Sequence, residues 1–235
     1  MKSFIFDVLK KLKDQGEDLS SLNFILPSKR AGVFLKQELS TVVNKTIFSP
    51  NIISIEEFVE DLAQLKSITN TELLFEFYNS YLALTPKKEQ EPFESFSKWA
   101  QILLQDFNEI DRYLIPQDKI FDYLGAIKEL DHWSLEDNKT EIVKNYLKFW
   151  DKLKLYYKHY TETLITKNEG YQGLIYRQAA EKIKNYCLNT KQKHIFLGFN
   201  ALNTAEETII QELLKNNLAE IFWDIDETFI ENKIH

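Results

Sequence analysis

The sequence predicts an α/β fold in which an incomplete parallel sheet is interrupted by a large all-helical insertion. Three observations carry that prediction. Short apolar runs lie near both ends of the chain, at Asn23-Phe24-Ile25-Leu26-Pro27 and His194-Ile195-Phe196-Leu197-Gly198, and each stops at a residue that ends a strand. Between them, from about residue 55 to 190, apolar positions recur almost everywhere at helical spacing. The last stretch then reads strand, helix, strand, a unit that builds parallel sheets because a crossover helix returns the chain to the same direction. The expected division is 1–65 with 190–235 for the sheet-bearing part and 66–189 for the helical insertion.

Residues 1–13 read as a helix with Phe4, Val8, Leu9 and Leu12 on one face, broken at Asp14-Gln15-Gly16. The run 23–27 is a buried strand, and the helix after it turns Ala31, Phe34, Leu35 and Leu39 inward. Thr46-Ile47-Phe48 and Ile52-Ile53 are brief strand candidates. Ser54 opens a helix with Glu57 three residues on, and Thr69 with Glu72 repeats that capping box ahead of Leu73, Leu74, Phe77 and Tyr81. Phe96, Trp99, Ile102, Leu103, Phe107 and Ile110 form the next stripe, and Pro116 suits the start of a helix bearing Ile120, Tyr123, Leu124 and Ile127. The longest stripe runs from Ile142 through Tyr146, Trp150, Leu153, Tyr157 and Tyr160 to Leu164, with Gly170 as its expected C-cap. A helix over 174–188 follows, then the strand 194–198. Thr204 with Glu207 is expected to cap the helix Glu206–Lys215, and Ala219–Asp224 is the last strand.

Composition narrows the function. Apolar residues make up 44% and charged residues 28% of 235, as in ordinary globular domains, and 6 Gly with 5 Pro leave room for long helices. No run approaches the ~20 apolar residues of a membrane span. The N-terminus is interrupted by Asp7 before any secretory core can form. One cysteine, Cys187, cannot close an internal disulfide, which points to the cytoplasm. The net charge of −7 is uneven: residues 1–48 carry 8 basic and 5 acidic side chains, 49–190 carry 17 and 23, and 191–235 carry 4 and 8. Only the first segment could favour phosphate, so bulk charge does not grip nucleic acid here.

Three stretches, taken together and in order, resemble the N-terminal region of AddB-like helicase–nuclease subunits of the UvrD/RecB group. Phe24-Ile25-Leu26-Pro27-Ser28-Lys29-Arg30-Ala31-Gly32 is similar to that family's strand, turn and helix. Ile52-Ile53-Ser54-Ile55-Glu56-Glu57-Phe58 is similar to its next strand and helix start. Ile195-Phe196-Leu197-Gly198-Phe199-Asn200-Ala201-Leu202, then Glu206-Glu207 and Ile221-Phe222-Trp223-Asp224-Ile225-Asp226, is similar to its Gly-Phe strand, helix and closing strand. The resemblance covers the whole chain. It implies a P-loop-NTPase-like sheet with the helical insertion where these helicases place a helical subdomain.

The departures carry as much meaning. An active member has a Gly-rich loop ending Gly-Lys-Ser/Thr, whose amides cradle phosphates. This chain has none: Gly16 and Gly32 are isolated. Leu197 and Gly198 stand where an active member carries the acids that hold Mg²⁺ and polarise water. Asp224, and Glu227 near a phosphate-sensing Gln position, are what remains of two further motifs. The resemblance therefore implies a decayed motor with no catalytic residues and no cofactor in this stretch. Its partners would be an AddA-like helicase–nuclease subunit and DNA, and its role the structural, DNA-guiding one in processing double-strand ends for recombination. The Mg²⁺-dependent PD-(D/E)XK nuclease domain usual in such subunits is expected beyond His235. A protein–protein interaction or regulatory module without a DNA role is the alternative, favoured by the acidic insertion.

Lys29 and Arg30, after a strand and opening a helix, are the candidate phosphate contacts. The other tempting groups have plainer readings. Trp150, Tyr156, Tyr157 and Tyr160 could stack on bases but have the spacing of a packed core. His132, His159, His194 and His235 lack metal-site spacing, and Asp131-His132-Trp133 comes with no nucleophile motif. Asp106, Glu109 and Asp111 could hold Mg²⁺ from one helix face but read as a solvated stripe. Cys187, in an apolar helix, reads as inert.

Overall fold

The computed structural model describes residues 3–43, 45–123 and 141–225, with the side chains of 141–151 outside that description. The chain divides into two compact units. One is Met1–Ala63 with Gln178–His235 and the other is Gln64–Arg177. The second division, between Arg177 and Gln178, falls inside the helix Gln172–Asn189, whose C-terminal part belongs with the sheet.

The first unit is built on a four-stranded, all-parallel sheet in the order β2-β1-β5-β6. Its strands are β1 (Asn23–Leu26), β2 (Asn51–Ser54), β5 (His194–Phe199) and β6 (Ala219–Trp223). All four residues of β1 are buried, as a strand flanked on both edges and covered on both faces must be. Helices α1 (Phe4–Asp14) and α2 (Lys29–Val42) supply Leu9, Leu12, Leu35 and Leu39 to a core that also takes Phe24, Leu26, Ile195 and Leu197. Helix α3 (Ile55–Ala63) places Phe58 against Phe196, Tyr186 and His194 on another side of the strands. Helix α9 (Thr204–Lys215) bridges β5 and β6.

Local chemistry sets the helix starts. Ser3 and Ser28 accept from the amides of Phe6 and Ala31. Ser54 and Glu57 exchange hydrogen bonds at the start of α3, the Glu57 carboxylate accepting from Ser54 N at 2.9 Å. At α9 the box is one residue earlier than expected: Asn203 caps and Glu206 reciprocates. Asn outranks Thr as a cap, so the chain starts its turn there. Two other expectations fail in this unit. Thr46–Phe48 forms no strand, and Phe48 is 90% exposed. Phe34 lies half outside, its ring beside the Arg30 guanidinium, because Gly32 takes the inward position. A Cβ on Gly32 would sit 3.2 Å from Ile52, so the bare backbone lets α2 pack closely on the sheet.

The second unit holds β3 (Lys66–Ser67), α4 (Asn70–Leu84), α5 (Phe93–Arg112), a helix α6 described over 117–123, α7 (Glu141–Thr166), β4 (Glu169–Gly170) and the start of α8 (Gln172–Asn189). Thr69 and Glu72 form the expected capping box of α4. Phe77 centres an aromatic core with Phe96, Phe107 and Tyr160 at 5.4, 5.7 and 5.1 Å between ring centroids, and Tyr156 and Tyr157 are also buried. Such pairs add about 0.5–1.5 kcal/mol each beyond area burial. Ile102 and Tyr123, expected inside, are exposed. Gly170 is not the C-cap of α7. Asn168 takes the left-handed turn at φ 58°, and Gly170 joins the parallel bridge β3–β4. Neither two-residue strand announces itself in sequence.

Asp111 is the polar anchor of this unit. It is fully buried, and its carboxylate accepts from Arg177 Nε at 2.6 Å, from the hydroxyls of Tyr157 and Tyr171, and from Gln117. Arg177 also donates to the carbonyls of Ile110 and Ile115. Burial followed by the negative charge of Asp111 pushes the Tyr157 hydroxyl well above the usual tyrosine range, so both tyrosines stay donors. The network joins α5, α6, α7 and α8 with every charge paired. Removing one partner should therefore be costly: Arg177→Met is expected to destabilise the unit by about 3–5 kcal/mol, whereas Arg177→Met with Asp111→Leu costs clearly less. Urea unfolding of the three proteins measures this. Equal losses for single and double variants would mean the pair is not what holds these helices.

Candidate functional site

Because all four strands run parallel, their carboxyl ends share one edge. The chain passes from β1 outward to β2 and later resumes on the opposite side of β1 at β5. The reversal between β1 and β5 is the switch point beside which open α/β sheets place their ligands. The turn after β1, the end of β5 and the start of α3 all lie at this edge.

The β1–α2 turn is short. β1 ends at Leu26 and α2 begins at Lys29, leaving only Pro27 and Ser28. A phosphate cradle of the Gly-Lys-Ser/Thr kind occupies about eight residues. Ser28 is already committed to capping, and Pro27 has no amide to offer.

Lys29 and Arg30 are both exposed here. Lys29 Nζ is 3.0 Å from Glu57 Oε1. Glu57 in turn holds Ser54, and its carboxyl is pulled below the usual range first by the Ser54 amide and then by Lys29. The Glu57 carboxylate likewise raises the Lys29 ammonium, helped by Glu60 and Glu56. The one lysine at the turn is thus answered by a carboxylate, and a phosphate would have to compete with it. Arg30 lies along α2 with its guanidinium 6.0 Å from the Phe34 ring centre.

The remaining candidate positions sit on β5 and after β6. Leu197 is fully buried in the core between α1, α2 and the sheet. Gly198 has φ +83°, where the β5–β6 register shifts between Leu197 and Phe199. A side chain there would be strained, so the bulge is held by a glycine. Asp224 is exposed just past β6, its amide donating to Phe199 O. Glu227 lies outside the described residues, as do His132, His235 and Asp131-His132-Trp133. The structure thus brings Lys29, Arg30, Gly198 and Asp224 to one edge but keeps Leu197 inside.

The helical acids do not form one stripe. Asp111 is the buried anchor described above, while Asp106 and Glu109 line a groove in the second unit. Among the described residues no group of three His, Cys, Asp or Glu could hold a metal ion. The groove and the anchor escaped the sequence reading. The one available signal was that Asp111 follows Phe107 by four residues and so shares its buried face. Cys187 is a buried free thiol pushed up by burial. Among the described residues no helix is long and apolar enough to cross a membrane.

No protein-family model matches this chain, and a search of curated proteins finds no match.

His194, at the start of β5, is a buried titratable group. It is fully buried, with Nε2 2.8 Å from Tyr186 OH and Nδ1 3.2 Å from Leu218 O. A carbonyl only accepts, so Nδ1 carries the proton and Tyr186 donates to Nε2. Burial pulls the ring below its ordinary 6.5. The folded pKa is depressed, so the unfolded chain binds the extra proton first. The stabilisation is complete above about pH 6.5 and is lost as pH falls below it. Wild type should lose stability between pH 7.5 and 5.5 more steeply than His194→Gln in urea melts, with the carboxylate contributions cancelling in the comparison. Parallel profiles would show that His194 is not held neutral.

Proposed function

We propose that this chain is a non-catalytic, helicase-like module of an AddB-like subunit in a complex that processes DNA double-strand ends for repair and recombination. Its sheet would be a P-loop-NTPase-like one that has lost its nucleotide chemistry. It would act in the cytoplasm beside an AddA-like helicase–nuclease partner, docking that motor and guiding a DNA strand. Nuclease chemistry with Mg²⁺ would belong to a PD-(D/E)XK domain outside these residues.

The observation that carries this reading is the switch point between β1 and β5. The all-parallel sheet and the helical unit inserted in the chain between α3 and β5 support it. At the place where nucleotide would sit, a two-residue turn replaces the phosphate cradle, a lysine is paired with Glu57, and a bulge glycine replaces an acid. What stays available there is modest: the exposed Arg30, Lys29 and the first amides of α2, groups that can meet a backbone phosphate without reading sequence. The alternative reading, an interaction module with no DNA role, draws its support from the groove of the helical unit.

The DNA contact is tested in the complex assembled with an AddA-like partner. Each phosphate neutralised contributes about 0.9 to the slope of log affinity against log salt. Lys29→Ala with Arg30→Ala should flatten that slope by about one to two units, toward one if Lys29 stays with Glu57, and weaken binding alike for all sequences. The fold should survive, since both side chains are exposed. An unchanged slope would remove these residues from the DNA path and leave the interaction module as the better reading.

A further inference from the structure

The helical unit contains a groove of about 860 Å³ that the helicase-like reading does not use. Helices α4 and α5 form most of its walls, and the start of α8 closes one side. That side is fixed closely: Gly173 N donates to Asn108 Oδ1 at 2.7 Å, and a Cβ on Gly173 would overlap the Asn108 carbonyl. The groove is thus formed on packed helices and is of the size that takes small ligands or a few residues of peptide.

Its chemistry is one-sided. Asp106 and Glu109 contribute two carboxylates, and no Lys, Arg or His is among the described residues that line it. Neither acid has an ion-pair or side-chain hydrogen-bond partner among the described residues, and partial loss of hydration pushes the Asp106 carboxyl up from its ordinary value. Gln101 and Gln105, on the same helix, add neutral donors and acceptors. Phe75 and Phe93 supply a stacked aromatic pair, centroids 4.8 Å apart and rings 8° from parallel, with Phe75 half exposed.

We propose that this groove binds a basic peptide segment of a partner protein, one arginine or lysine lying against Phe75 and another reaching Asp106 and Glu109, which lie about 20 Å further along α5 than Phe93. An aromatic face attracts a cation, most strongly a guanidinium, and unpaired carboxylates complete the match through charge-assisted hydrogen bonds. Single-stranded nucleic acid also stacks on aromatic rings, but its phosphates would meet two uncompensated negative charges with no basic residue to receive them. The inference does not rest on the DNA-processing reading. The two can fail separately, because the groove and the carboxyl edge of the sheet lie in different units.

The test uses the whole chain and fluorescein-labelled nona-arginine in anisotropy titrations at 150 mM salt, with labelled dT₁₂ as the second probe. Nona-arginine should bind saturably, at least 10-fold more weakly to Asp106→Asn with Glu109→Gln, and several-fold more weakly to Phe75→Ala. A charge-matched control in the other unit, Glu56→Gln with Glu207→Gln, should change little. Circular dichroism checks that each variant is folded, and Phe75→Leu, which keeps the volume without the ring, separates aromatic contact from packing. Absence of binding overturns the proposal. So does an equal loss in the charge-matched control, which would mean general attraction to an acidic protein. Binding of dT₁₂ that depends on Phe75 would make the groove a nucleic-acid platform and also overturn it.

Discussion

Strand β1 is the constraint on which the first unit turns. It pairs in parallel with β2 on one edge and with β5 on the other, and no residue of it reaches solvent. A slip of one residue would exchange the side chains packed against the two covered faces, so close packing on each face holds the register. Both faces must be covered, so α1 and α2 bring leucines to one side and α3 brings Phe58 to the strands elsewhere. Gly32 leaves room for the close seat of α2, where a Cβ would press on Ile52, and only Pro27 and Ser28 separate strand from helix. That turn is shorter than the about eight residues of a Gly-Lys-Ser/Thr phosphate cradle.

The second unit solves a different problem. Its helices could pack on aromatic rings alone, and Phe77 with its neighbours does much of that. Yet at one end a charged pair is buried, and Asp111 meets Arg177 with two tyrosines and a glutamine. Burying two charges is expensive, and the attraction between them offsets the desolvation only when geometry and hydrogen bonds are complete. Here they are, including the two carbonyls that receive the rest of the guanidinium. The result is directional in a way that ring packing is not, since the acceptor geometry fixes how α5, α7 and α8 meet.

Much of this was legible in the sequence, for stated reasons. Continuous apolar runs ending at Pro27 and Gly198 mark strands buried on both faces, and the Thr69–Glu72 and Ser54–Glu57 boxes mark helix starts, because both signals are local. What escaped was set by competition or distance. Asn203 outcompeted Thr204 for a cap. Gly32 displaced Phe34 from the inward face, which a periodicity count cannot see because glycine scores as neither apolar nor polar. Lys66 and Glu169 pair across the whole helical unit, as Asp111 and Arg177 do across much of it, and no short window contains both partners. At the candidate site, the position of Lys29 and Arg30 at a strand-to-helix turn could be read directly. The Glu57 carboxylate that answers Lys29 could not, since it depends on two neighbouring strands ending at the same edge.

The proposed function makes this four-stranded parallel sheet a nucleotide-binding core that has lost the means to bind nucleotide. Isothermal titration of the 235-residue chain with Mg²⁺-ATP tests it most directly. With a two-residue turn after β1, Lys29 held by Glu57 and Leu197 inside the core, no saturable heat should appear at micromolar ligand. Saturable micromolar binding that disappears in Asp224→Ala would contradict the account, because the exposed Asp224 carboxylate would then hold the Mg²⁺ of a bound nucleotide at this edge.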